Sequence, residues 1–572
     1  MQKIVSVIMS VWLFISMASL LFDIHLVEAS ETIYIKADGS LVGTNKIRCE
    51  ENVYMLTADI YGSIIIEKDN VIIDGCKYAL TGAGKGNGIT IVERVNVTVK
   101  NFEIKNFNIS IYIGGYGNSR NNIIFGNNIT RCNYGIRMEY SHNNTIIGNR
   151  LSNNEYAIYL FASHFNTFRN NIMVDNQRGL AIHGGYLESY TQYVDATNTV
   201  NGKPVYYWIT EKDKTVPLDA GYVALIKCTN ITVQNLKLTG NGHGILLFAT
   251  QKSTLNRNMI EDNDVGIQIW DSFNSKISEN VVLNNGEGIR IDGIYPVYSQ
   301  NNEVYRNNIT NNDVGIFIFD SSDNVIYRNH ITNNGCGIRI IGLGGKAADN
   351  LIYHNNFVNN TADVPGSWHT IVFQEVWIPP QKNLWDNGKE GNYWSDYITR
   401  YPNAREIDSL GIWNTPYNIS ENNQDNYPLV NPVDIQVIEI PSTSDTTPPT
   451  ISIISPENKT YTVNNVSLTF TLSEPVSWIG YSLDEQANVT ITGNTTLSGL
   501  SDGPHSLIVY AKDTSGNIGV SEIIYFSIKT QSDFLLITLI VTAIAVIAIG
   551  ISITLGAVIY KRKGEHTAAP KK

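Results

Sequence analysis

Short apolar runs, broken by asparagine and glycine, recur along the first two-thirds of the chain at a nearly fixed interval. Segments such as NTFRNNIMVDN (166–176) and NVIYRNHITNN (324–334) alternate apolar and polar positions and then stop at Asn. A period of two, with β-branched residues between turn formers, predicts strands and turns and not helix. Aligning the dipeptides in which Gly precedes Ile or Leu places anchors at Gly88, Gly135, Gly179, Gly244, Gly266, Gly288, Gly315 and Gly337, with Ser110, Ala157 and Tyr222 filling the steps between. The usual interval is 22 residues; 25 and 27 lengthen one loop, and 43 holds one coil plus an insertion of 21. Units of one length without a helical crossover cannot each bury a face alone, but stacked as a solenoid they share a continuous core. The predicted fold class is all-β, a right-handed parallel β-helix of 22-residue coils.

Asparagine forms further columns. Eight residues before most anchors stand Asn127, Asn149, Asn171, Asn258, Asn280, Asn307 and Asn329; three before them stand Asn154, Asn176, Asn263, Asn285, Asn312 and Asn334. An Asn repeated in every coil can hydrogen-bond the Asn above and below, so these columns are expected to be structural ladders. Along the anchor strand, residues one and three after the anchor point inward, and residues two and four point outward. The outward strip carries Tyr159, Phe161, Phe248, Trp270, Arg290, Asp292, Phe317 and Phe319. Aromatic faces beside fixed charges suit the C–H faces and hydroxyls of sugars. The strip is therefore the expected ligand-binding surface, centred on Phe248, Trp270, Asp292 and Phe319. Ordinary strand propensity, or burial beneath a hairpin or cap, would produce the same row.

The ends of the chain add modules. Lys3, the apolar run Ile4–Phe22 and Val27-Glu28-Ala29 make residues 1–29 an expected signal peptide. Residues 534–560 are 27 uncharged, mainly apolar positions, long enough to span a bilayer, followed by Lys561, Arg562 and Lys563. The positive charge predicts a single-pass cell-membrane protein with an extracellular ectodomain and a cytoplasmic tail at 561–572. Between them the reading gives a β-helix over 30–365, with a hairpin insertion near 186–217 that turns at Asn201-Gly202 and projects from a coil edge. An aromatic-rich cap follows over 366–432, then a Pro/Ser/Thr linker over 433–449. An immunoglobulin-like sandwich over 450–530 lacks the inter-sheet cysteine pair. Its sequons at Asn458, Asn465, Asn488 and Asn494 are the expected glycosylation sites.

A net charge of −12, without a basic cluster outside the last dozen residues, excludes nucleic acid as a partner. Five cysteines are scattered, and Cys49 with Cys76 is the first pair to consider for a bridge. No nucleophile elbow, HExxH or P-loop occurs. Two weaker constellations remain. His142 and His164, 22 residues apart, fall on neighbouring coils and are candidate metal ligands, or else stacked turn imidazoles. Asp271, Asp292 and Asp320 fall on three successive coils, as catalytic carboxylates or as turn caps.

The 22-residue coils, together with DIYGSIIIEKDNVIIDG (59–75), NTVNGKPVYYW (198–208) and GNYWSDY (391–397), resemble the NosD-like group of parallel β-helix proteins common on archaeal surfaces. The resemblance spans roughly residues 31–432. It implies the β-helix fold, export and a link to carbohydrate. Name-giving members assist copper-site maturation of nitrous oxide reductase in the periplasm. Similar proteins often carry an Asp/Gly-rich, calcium-type stretch, here ITRYPNAREIDSLGIWN (398–414), with only Glu406 and Asp408 as acids. The expectation is a surface protein that binds surface polysaccharide or glycan, or serves as a structural or adhesive component. A polysaccharide-active hydrolase or lyase stands second, and a copper-handling protein third. No cofactor is expected from the residues, and the resemblance leaves copper or calcium open; oligomeric state is not legible.

Overall fold

The structure is a computed structural model describing residues 31–293, 298–342, 347–361, 372–375, 382–420, 422–435, 448–474, 476–513 and 516–530. The expected signal peptide and transmembrane segment lie outside the described residues. Among the described residues no helix is long and apolar enough to cross a membrane. Two compact units are present, Met1–Ser442 and Thr443–Lys572.

The first unit is an all-β parallel β-solenoid of about 14 turns. One coil runs through the long strand Val265–Trp270 and the short strands Lys276–Ser278 and Val281–Leu283, then enters the next long strand, Glu287–Asp292. Like sits on like: Ile267 pairs Ile289, Ile289 pairs Ile316, and Ile316 pairs Ile338. Ile267 and Ile269 are fully buried, so the inward positions one and three after the anchor are as the alternation requires.

The bends between strands explain the asparagine pairs. Asn311 and Asn333 take positive φ (57° and 55°), a conformation Asn tolerates better than most residues. Each is followed by a buried partner that enters the ladder. Asn312 Nδ2 donates to Asn334 Oδ1 at 3.0 Å, and that oxygen also accepts the Asn312 backbone N–H at 3.0 Å. Nδ2 also reaches the carbonyls of Val282 and Thr310 at 3.1 Å, so the buried amide is satisfied throughout. A further ladder, not read from the sequence, runs Ser253, Ser275, Asn302, Asn324, Asn350.

The solenoid consists of two stacks joined near residue 200. Thr199 pairs Pro204 antiparallel around Asn201 (φ 48°) and Gly202 (φ 77°), so a hairpin is present. It does not project, in contrast to the expectation. Its second strand, Lys203–Ile209, pairs parallel with Tyr222–Ile226, which pairs with His243–Phe248. These strands are apolar on both faces. Tyr207, Tyr222, Ala224, Leu246 and Phe248 join the core of the first stack, whereas Val223, Leu225, Ile245 and Leu247 join that of the second. One sheet therefore closes one stack while opening the next, which is why its strands read as continuous apolar runs. Contact at the seam is close: a Cβ on Gly242 would lie 2.6 Å from Cβ of Ala181.

At the far end Trp394 stacks between Phe357 (4.5 Å, 8°) and Tyr417 (4.1 Å, 3°). Two ladders terminate there. Asn355 hands on to Asn392, whose N–H donates to Asp425 Oδ2 at 2.7 Å; Asn383 N–H donates to Asn423 Oδ1 at 2.9 Å. Burial pushes the Asp425 carboxyl up to about 7, against the N–H donors of Asn392 and Trp394, which favour its charged form.

The second unit has a three-stranded and a six-stranded sheet around Leu468, Phe470, Leu497, Leu507, Val509 and Phe526. Asn458, Asn465, Asn488 and Asn494 are exposed. Asn465 and Asn494 already accept the backbone N–H of Gly499 and Phe470. All five cysteines are free thiols, so no bridge joins Cys49 and Cys76.

Candidate functional site

Outward from the long-strand sheet, where the second stack meets the end of the first, lies a cleft of about 610 Å³. Phe161, His183 and Tyr190 line one side; Gln268, Trp270, Glu287, Arg290 and Arg339 line the other. Asp264, also in the lining, ties the stacks together, accepting from Arg178 Nε at 2.6 Å and from the Tyr156 hydroxyl at 3.0 Å.

Arg290 centres the polar floor. Its Nε donates to Asp292 Oδ2 at 2.6 Å, and its Nη1 to the two oxygens of Glu287 at 3.2 and 3.0 Å. Gln268 Nε2 reaches the same Asp292 oxygen at 2.8 Å. Arg290 and Asp292 meet because they are two apart on one strand and so share its outer face. Burial raises both carboxyls, with Arg290 opposing. Burial also works against the Arg290 charge, but Asp292 and Glu287 outweigh it and the guanidinium is held charged. The wall brings His183 and His243 together, with ring centroids 5.3 Å apart. Burial lowers both below the ordinary histidine range, His243 furthest, so both are neutral at pH 7. Among the described residues Nδ1 of His243, Nε1 of Trp270 and Oδ1 of Asp292 are buried without a hydrogen-bond partner. Three such atoms around one cleft mark it as a place with unused bonding capacity.

The outward strip is not a single open row. Phe161, Trp270 and Arg290 line the cleft. Phe248 is 1% exposed, because Tyr190 from the 184–193 segment lies over it at 4.5 Å. Phe317 is covered by Arg290 and Arg339, with guanidinium carbons 4.7 and 5.5 Å from the ring centroid. Asp292 is 1% exposed beneath Arg290 and Gln268. Tyr159 packs on His183 at 5.0 Å, outside the cleft lining, and Phe319 joins a small cluster with Phe317, Val314 and Cys336. The three aspartates do not form a column. Asp292 sits within its strand opposite Trp270 and Phe319, whereas Asp271 and Asp320 occupy the positive-φ bend one position later. Residues missed by the sequence reading are Tyr190, His243 and Glu287. Tyr190 belongs to the insertion, and the other two stand one residue before an anchor, off the strict alternation.

His142 and His164 stack with centroids 3.5 Å apart, and His142 Nδ1 accepts the His164 backbone N–H at 3.2 Å. Burial, then the neighbouring ring, lowers His142 to about 4. That nitrogen is thus already engaged. Among the described residues no three His, Cys, Asp or Glu side chains gather to hold a metal ion. Glu406, in the calcium-type stretch, instead accepts the backbone N–H of Gly411.

The fold and cleft define a parallel β-solenoid of the β-helix class. A family described as periplasmic copper-binding protein (NosD) matches residues 218–294 and 291–398, and one described as right handed beta helix region matches 33–192. Together with the solenoid, these matches make the chain a NosD-like parallel β-helix protein. Halomucin of Haloquadratum walsbyi is 38% identical over 97 residues, 16% of this chain; the matched segment spans about 1% of that relative's length. Among solved structures, a periplasmic alginate epimerase is 12% identical, covering 62% of this chain and 82% of its own, with a TM-score of 0.24. The catalytic domain of a GH87 alpha-1,3-glucanase in complex with tetrasaccharides is also 12% identical, covering 60% and 63%, with a TM-score of 0.25. For the copper in the family description, no three His, Cys, Asp or Glu side chains gather among the described residues, and the paired imidazoles of His183 and His243 have no third such donor.

Proposed function

We propose that this protein is a membrane-anchored surface solenoid that binds carbohydrate in the cleft between Phe161, Trp270 and Arg290. The observation that carries the reading is the juxtaposition of aromatic rings with a guanidinium fixed by two carboxylates. A pyranose offers the complement, an apolar face for the ring and hydroxyls for oriented donors and acceptors. Fixing the polar groups before the ligand arrives reduces the ordering cost of binding. The apolar runs at 4–22 and 534–560, read as a signal peptide and an anchor, support display outside the cell, and the second unit fits an immunoglobulin-like spacer. The test is a glycan array probed with the full chain and with Trp270→Ala. A discrete set of glycans bound by the parent and lost by the variant is expected; a blank array, or one unchanged by the substitution, defeats the reading.

A polysaccharide-active enzyme is a second reading, favoured by Glu287. Its carboxyl lines the cleft and is raised by burial, as a proton donor requires. Release of new chain ends that disappears in Glu287→Gln would establish catalysis, and no release leaves binding alone.

A further inference from the structure

We infer that the ligand is a linear, uncharged polysaccharide chain that leaves the cleft along a row of exposed aromatic rings on the first stack; this rests on the carbohydrate reading above. The row begins in the cleft wall at Phe161, which is 37% exposed. Tyr140 lies 5.6 Å from it, centroid to centroid, and is 41% exposed; Tyr116 lies 6.0 Å further and is 90% exposed. The three residues come from successive coils, so their spacing follows the ~4.8 Å coil repeat, the order of one sugar unit. Tyr140 occupies a positive-φ bend (47°) directly after its strand, at the edge of the sheet. A contiguous row of large exposed rings is costly in a soluble ectodomain unless it has an occupant. A ligand confined to the cleft would leave Tyr140 and Tyr116 unexplained.

The charge balance selects among polymers. An acidic sugar needs an excess of cations, but the lining sets Arg290 and Arg339 against Asp264, Glu287 and Asp313, and Arg290 is already shared between Glu287 and Asp292. His183 and His243 add no positive charge. Adding carboxylates to this floor, in a chain of net charge −12, is unfavourable. Hydroxyls, by contrast, can use both the carboxylate acceptors and the guanidinium and amide donors.

The experiment titrates the full chain with uncharged hexaoses of glucose, mannose and galactose, with hexagalacturonate, and with a glucosamine hexamer, at low and high salt. An uncharged hexamer should bind, with an affinity insensitive to salt. Tyr116→Ala should weaken that hexamer about five- to tenfold and leave the matching disaccharide unchanged. Because Tyr116 is almost fully exposed, its loss should leave the thermal transition in place, which a melt verifies. Preference for the anionic or cationic hexamer, abolished by Trp270→Ala, overturns the inference while sparing the carbohydrate reading. Equal hexamer affinity with and without the Tyr116 ring overturns the row. Binding of no class removes both.

Discussion

The ring of Tyr190 lies over that of Phe248 with centroids 4.5 Å apart and planes 27° from parallel. Both rings belong to the core of the first stack, Phe248 from the shared strand His243–Phe248 and Tyr190 from the segment that leaves that stack, so the pair closes the first core at the seam. Tyr190 also lies 5.7 Å from Trp270, and its carbonyl accepts the Tyr207 hydroxyl at 2.5 Å. A contact that closes the first core thus also forms the wall against which Trp270 rests.

Tyr190→Ala should therefore cost about 3–5 kcal/mol, the range for removing a large buried aromatic. Thermal unfolding of the full chain reads the loss, and emission from Trp270 should shift toward that of a solvated indole. A change below about 1 kcal/mol would mean that the 184–193 segment only rests on the seam.

The two asparagines of one bend should behave oppositely. Asn312 is 2% exposed, and Asn285 donates both its backbone N–H and its Nδ2 to Asn312 Oδ1. Asn312→Ala leaves the Asn285 backbone N–H unpaired, while Asn285 Nδ2 keeps the carbonyls of Ile260 and Leu283, and should cost about 2–3 kcal/mol. Asn311→Gly keeps the positive φ and should stay within about 1 kcal/mol of the parent. Denaturant midpoints decide it, and equal costs would contradict the ladder.

These examples show where sequence reasoning reached and where it stopped. The Gly-Ile anchors, inward Ile267 and Ile269, and the ladders through Asn307 and Asn312 were legible because each repeats with the coil. The ladder through Ser253, Ser275 and Asn302 was hidden because Ser and Asn alternate in the same hydrogen-bonding role. The strip was legible only halfway. A period of two says which side of the sheet Phe248 and Asp292 occupy, but not that Tyr190 or Arg290 lies over them. Likewise, nearly equal offsets could not separate Asp292, inside its strand, from Asp271 and Asp320 in the bend.

Two buried groups should tilt stability in opposite directions below neutrality. At His243 the folded pKa lies well below 6.5, so its contribution is present above about pH 6.5 and lost as pH falls toward the folded value. At Asp425 the folded pKa is about 7, above the ordinary carboxyl value, so its contribution is present below about pH 4 and lost as pH rises through 7. Melting curves across pH should show a shallower acid limb in His243→Gln and a smaller loss of stability between about pH 4 and 7 in Asp425→Asn. Parallel curves for parent and variants would contradict the assigned burial effects.

Ile267→Asp places a carboxylate in a column of isoleucines that is fully closed to solvent. No partner is available in that column, so the coil should unfold locally and the melting temperature should drop steeply. An unchanged melt would reverse the inward and outward assignment, and with it the cleft.

Trp270 is the residue on which carbohydrate binding in the cleft most directly depends. With a glycan identified on the array, titration into the parent should change tryptophan emission saturably, and Trp270→Phe should abolish that change while retaining part of the affinity. Trp270→Ala should weaken binding about tenfold or more, the loss expected of a central aromatic anchor. If Trp270→Ala binds every glycan as the parent does, and the parent's emission is unmoved by ligand, the cleft is a packed seam between two stacks and not a binding site.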